Sequence, residues 1–161
     1  MVSHWNYPLL VVVLLATPGT AAGEKTATAE QDFGPAVRRA VALLPERPAQ
    51  VLVLDVNDAK PQDREYLSKL QAFVIRGNAV IYLTKHGEVL REALKGSPFH
   101  DHILATVIWH EMAHVAGADE REARRREEAL WTRFMLDNAI DRDAALHYLR
   151  ALRERRPSGI E

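Results

Sequence analysis

One apolar run in the chain is broken by two imidazoles and a carboxylate: Val107-Ile108-Trp109-His110-Glu111-Met112-Ala113-His114-Val115-Ala116-Gly117. On a helix, side chains four residues apart project from one face a single turn apart. His110 and His114 therefore sit where two ring nitrogens can hold one zinc ion. Glu111, next door, reaches the remaining ligand, a water, and this HExxH spacing points to metal-assisted hydrolysis with Glu111 as general base. Ile103, Val107, His110 and His114 follow one helix face, so both rings fall on the stripe that should be buried. Satisfied core histidines are the alternative, but two of them beside an acid need partners, because buried polar groups are normally paired or metal-bound.

Two histidines leave a zinc site incomplete, since catalytic zinc generally has three protein ligands and one open position. Gly117 is placed to end the His helix, and Asp119 with Glu122 three residues on reads as the capping box of the next. The two helices then form a hairpin with a very short turn. On the second helix Glu120, Ala123, Glu127, Leu130 and Phe134 share a face that is otherwise apolar or small. With a rise of about 1.5 Å per residue, an antiparallel partner must climb to the level of Glu111, and helical side chains lean back toward their own N-terminus. That favours Glu127 as third ligand. Glu120 sits at the mouth of the turn and reaches the metal only if the chain folds back sharply after Gly117. Whichever acid does not ligate can orient a ligating imidazole or cap a helix.

A chain of 161 residues with near-neutral charge is one domain's worth, expected here over 33–156, and nothing global argues for nucleic acid as a partner. Arg121 to Arg126 could form a basic patch, but Glu120, Glu122, Glu127 and Glu128 interleave with it, which reads as a solvated helix face. Pro8 to Ala16 is a short apolar block followed by small, helix-breaking residues, too short to span a bilayer but suited to a secretory signal over 1–22. This predicts an exported protein, periplasmic or secreted, with no stable membrane insertion after cleavage. Met1 to Tyr7 carries no Lys or Arg, so an uncleaved interfacial anchor is the alternative. Residues 23–32 read as a flexible lead. The chain has no cysteine, which excludes a disulfide framework and a thiolate ligand or nucleophile.

The remaining chain reads as mixed α+β. Phe33 to Leu44 has the spacing of an amphipathic helix, and Val51 to Val56 the brevity and β-branching of a buried strand. Pro61 opens a helix to about Gln71. Ala72 to Arg76 and Ala79 to Thr84 flank Gly77-Asn78, the signal of a tight hairpin whose second strand can serve as a sheet edge for an extended peptide. Glu88 to Lys95 is a short helix stopped by Gly96, and Ser97-Pro98 opens the His helix. Asp141 caps a last helix, Ala144 to Arg155, with Leu146, Leu149 and Leu152 inward.

HEMAH followed by a helix bearing a Glu resembles the gluzincin branch of zinc metallopeptidases, in particular very small members with a minimal scaffold. Glu120-Arg121-Glu122-Ala123 is similar to the ExxA pattern around the third ligand in several gluzincins, which favours Glu120. The His110 to Glu120 spacing also matches the metzincin HExxHxxGxx pattern, but with Glu where that group has His or Asp, and no Met-turn follows. The resemblance covers about Ile103 to Phe134 and implies a small zincin-like domain acting on peptide or protein substrates. Metal-water attack also needs an oxyanion donor, for which His147, Tyr148, Tyr82 and His86 are the candidates. His100 and His102 lie on different helix faces and do not share a second metal. Two other functions compete with the peptidase: a non-catalytic metal-binding module, and a helical interaction domain with coincidental histidines.

Overall fold

A computed structural model of the chain describes residues 30–154, with side chains from Phe33 onward. The expected secretory signal and most of the lead lie outside the described residues. In chain order the elements are α1 (Glu30–Ala42), β1 (Gln50–Leu54), a 3-10 turn (Val56–Asp58), α2 (Pro61–Leu67), β2 (Ala72–Val74), β3 (Val80–Thr84), α3 (Glu88–Leu94), α4 (Pro98–Val115), α5 (Glu120–Leu136) and α6 (Arg142–Glu154). This is a mixed α+β arrangement of six helices around one small sheet among the described residues. α1 starts at Glu30, three residues before the helix start expected at Phe33.

The strands lie in the order β1-β3-β2, with β1 parallel to β3 and β2 antiparallel to it. β3 is thus the central strand, which corrects the expectation that it serves as a sheet edge. The parallel partner β1 arrives through a crossover and takes the open side of the hairpin. The hairpin itself is looser than a two-residue turn. Residues 75–79 separate its strands, with Gly77 at φ 82° and the Asn78 N–H donating to the Ile75 carbonyl at 2.9 Å.

Strand alternation divides the apolar side chains between the two faces of the sheet. Ile81 and Leu83 join the main core with α4, while Tyr82 stacks on Phe73 at 5.1 Å over Val56, Leu67 and Leu70 on the other face. α2 ends at Leu67 rather than near Gln71. Leu70 and Gln71 are drawn to the sheet instead: the Thr84 hydroxyl donates to the Leu70 carbonyl, the Thr84 N–H to the Gln71 carbonyl, and the Gln71 side chain accepts from the Val89 N–H.

α4 is the axis of the main core. It is buried on every side from Asp101 to Ile108, not along a single stripe, because α1, α3, α5 and the sheet all pack on it. Its start is fixed by Pro98 at the first helical position and by Asp101, which accepts two bonds from Arg39 of α1 at 2.7 and 3.1 Å. Ser97 occupies the cap position, but its hydroxyl pairs with His100 at 2.9 Å instead of capping the backbone. On α6 the inward stripe is Ala145, Tyr148, Leu149 and Leu152. Leu146 is 40% exposed, contrary to expectation. The small Ala145 lets the Trp131 indole N–H reach its carbonyl at 2.9 Å while Tyr148 packs on the same ring, and that contact sets the rotation of the helix.

Candidate metal centre

The site is built by the reversal between α4 and α5. Ala116 closes α4, and Gly117 takes the left-handed conformation at φ 87°. From there the Gly117 and Ala118 N–H groups return to the carbonyls of His114 and Ala113. Asp119 then caps α5 by accepting from the Glu122 N–H at 2.8 Å. Only 116–119 separate the helices, so Glu120, the first residue of α5, turns straight back toward the rings. Ala123, fully buried on the same stripe, adds no bulk to hold the helices apart there.

His110 and His114 present their Nε2 atoms to each other at 3.2 Å, and Glu120 Oε2 lies 3.5 Å from the first and 3.3 Å from the second. The ligand atoms of these three residues all lie within 4.8 Å of one another. Both Nδ1 edges are occupied from behind. His114 Nδ1 is 3.0 Å from the Ala118 carbonyl, and His110 Nδ1 is 3.0 Å from Glu127 Oε2. A carbonyl or a carboxylate can only accept, so each Nδ1 carries the proton it donates, and in a neutral ring Nε2 is left with a lone pair. Two lone pairs and a carboxylate oxygen then face one point. That arrangement repels itself unless a proton or a cation lies between the groups, and Glu120 Oε2 is buried without a hydrogen-bond partner. Two imidazoles and one carboxylate also form a donor set suited to zinc.

The structure separates the two candidate acids by the ring edge they face. Glu120 is on the Nε2 side with the paired rings, and Glu127 is on the Nδ1 side of His110. Glu127, which helix height favoured as the third ligand, is therefore not among the three residues whose ligand atoms converge. It does rise to the level of His110, but height says nothing about which nitrogen a carboxylate meets. Its contact is a carboxylate-to-imidazole bond of the kind that would fix the ring's tautomer and orientation if His110 held a metal.

The electrostatics follow from burial and crowding. Burial alone lowers the His110 pKa, but the adjacent carboxylates of Glu120 and Glu127 outweigh it and, with Glu111 nearby, push it up to about 10. Burial works to raise the Glu120 pKa, yet the imidazoles of His110 and His114 beside it hold that carboxyl well below the usual range. Glu111 is 1% exposed, with one carboxylate oxygen buried and unpartnered, and burial pushes its pKa up to about 7.

None of the proposed oxyanion donors is brought to this cluster. Tyr82 lies on the far face of the sheet, His86 pairs with Asp55 beyond the C-terminal ends of β1 and β3, Tyr148 is buried against Trp131, and His147 is exposed on α6. His102 packs edge-on against Phe134, away from His100. A groove of about 190 Å³ runs along α4 over Trp109, Met112, Ala113 and Ala116, with Ile81 and Arg126 beside it, and neither histidine of the site lines it. One residue of the site was missed in the sequence. Arg124, read as part of a solvated face, donates from Nε to Glu120 Oε1 at 2.5 Å. The i, i+4 spacing of Glu120 and Arg124 was the available signal.

No protein-family model, curated protein or solved structure matches this chain.

Proposed function

We propose that the chain is a small zincin-like, zinc-dependent peptidase in which His110, His114 and Glu120 hold the metal and Glu111 acts as general base. The observation that carries this reading is the pair of Nε2 atoms 3.2 Å apart, both with Nδ1 engaged from behind and both against one buried carboxylate oxygen. Zinc held by His110, His114 and Glu120 would lower the pKa of a water toward neutrality and polarise a carbonyl. In the metal-free protein burial pushes the Glu111 pKa up to about 7, and one of its oxygens has no competing partner, so it suits a group that takes a water proton and returns it to a leaving amine. Glu127 holds the His110 ring by its Nδ1 proton, and the Ala118 carbonyl does the same for His114.

The near-complete burial of Glu111 favours a second reading. A general base must meet substrate, and a carboxyl this enclosed also fits a module whose zinc only ties α4 to α5.

The experiment that separates them measures zinc content and cleavage of a peptide library by wild-type and Glu111→Gln protein. One zinc per chain is expected in both, with cleavage falling by at least about 100-fold in the variant. A wild-type protein that keeps its zinc and cuts nothing leaves the structural reading standing. Absence of zinc from both proteins removes both readings.

A further inference from the structure

Arg124 closes the side of the cluster opposite the rings. Its side chain is mostly buried, 18% exposed, and its Nε donates to Glu120 Oε1, so the two oxygens of that carboxylate have different tasks. Oε1 is engaged by the cation, and Oε2 is directed between the two Nε2 atoms. An exposed i, i+4 pair contributes only tenths of a kcal/mol and holds nothing in place. This one is only partly exposed, 18% at Arg124 and 38% at Glu120, and it is charge-assisted and attached to the carboxylate that faces both Nε2 atoms.

Its placement bears on coordination number. Zinc has no geometric preference of its own, so the number of ligands follows from what the protein offers. A carboxylate free to rotate can offer both oxygens and fill the position a water needs. Arg124 holds Oε1 at the point where Glu120 could otherwise turn.

We propose that Arg124 is a positioning residue that restricts Glu120 to ligation through Oε2 alone and so keeps one coordination position open. The inference rests on the metal-binding reading above. Cobalt(II) loaded into metal-free protein tests it, because the visible absorption of this ion is strong at four-coordination and several-fold weaker once further ligands are added. Wild-type protein is expected to take up one cobalt with the strong band. Arg124→Gln is expected to take up one cobalt with a band several-fold weaker, and Arg124→Lys, which keeps a cation of similar reach, to return most of the intensity. Arg124→Met preserves the aliphatic stem and stands in, with the same expectation, if the Gln variant does not fold.

An unchanged band in the Gln variant overturns the proposal, as does complete loss of metal from folded Arg124→Gln protein. A Lys variant as weak as the Gln one points to lost packing and overturns it too. If the wild type takes up no cobalt, the metal-binding reading fails and this inference goes with it, an outcome distinct from uptake with identical spectra.

Discussion

An imidazole ligates through the same lone pair that a proton occupies, and at His110 the surrounding carboxylates make the metal-free ring hold that proton strongly. Its pKa is raised from the ordinary 6.5 to about 10, so at pH 7 the metal-free ring is charged. A cation entering at that pH must displace the proton. Calorimetry in buffers of different ionisation enthalpy is expected to record release of about one proton per zinc, and the apparent affinity is expected to climb as pH rises toward 10. The stability of metal-free protein has the matching sign. A pKa raised in the folded state stabilises fully below 6.5, and that contribution is lost as pH rises through 10. Binding without proton release would mean that His110 is already neutral. Glu127 can be judged on its own: Glu127→Ala leaves the His110 Nδ1–H without its buried acceptor and is expected to weaken zinc binding about 10- to 100-fold, read by competition with a chromophoric chelator. Glu127→Gln, which keeps an oxygen acceptor, should lose less.

Between α4 and α5, the short turn decides what the residues can do. Gly117 is at φ 87° with open space around the position a Cβ would take, so Gly117→Ala strains the backbone without a clash. The cost is about 1–2 kcal/mol, a fall of several degrees in Tm, with weaker zinc binding because the turn aims Glu120. Gly96 is an internal control, also left-handed at φ 78° and also in open space, but remote from the rings in the chain. Gly96→Ala should cost about the same stability and leave zinc affinity unchanged. Equal effects of both on affinity would show that the turn plays no special part. This hairpin was legible in the sequence because its signals are local: Gly117 past the helix end, Asp119 and Glu122 at the next start. The position of β3 was not legible, since a strand's neighbours are fixed by β1, which arrives from far away in sequence. The rotation of α6 was hidden for a similar reason, because Leu146 and Ala145 both fit an apolar stripe and only Trp131 selects between them.

Taken as a whole, the described residues hold two apolar clusters on either side of a three-stranded sheet, and α4 runs through the larger of them. Among them no helix is long and apolar enough to cross a membrane. With no cysteine in the chain, stability must come from packing and from any ion held between α4 and α5. Such an ion binds only the folded chain and stabilises it by mass action, by about 4 kcal/mol when free metal exceeds its Kd a thousandfold. Chelation is therefore expected to lower the Tm of the wild type, while His114→Ala should melt at a lower temperature and no longer respond to chelator. Identical melting of wild type with and without chelator would count against a bound ion.

What the amino-acid sequence determined by itself was the part of the site that helical periodicity dictates: two imidazoles one turn apart, an acid beside them, and a second helix returning at once with Glu120 and Glu127 on its inward stripe. It could not choose between those two acids, because seven residues make nearly two whole turns and both point the same way. In the tertiary structure the two acids face different edges of His110. The chain folds back so sharply after Gly117 that the first residue of α5 meets the Nε2 atoms and the later one meets the Nδ1 edge behind them. Which edge of a ring an acid meets depends on the distance and angle between two packed helices, and no spacing along one helix contains that.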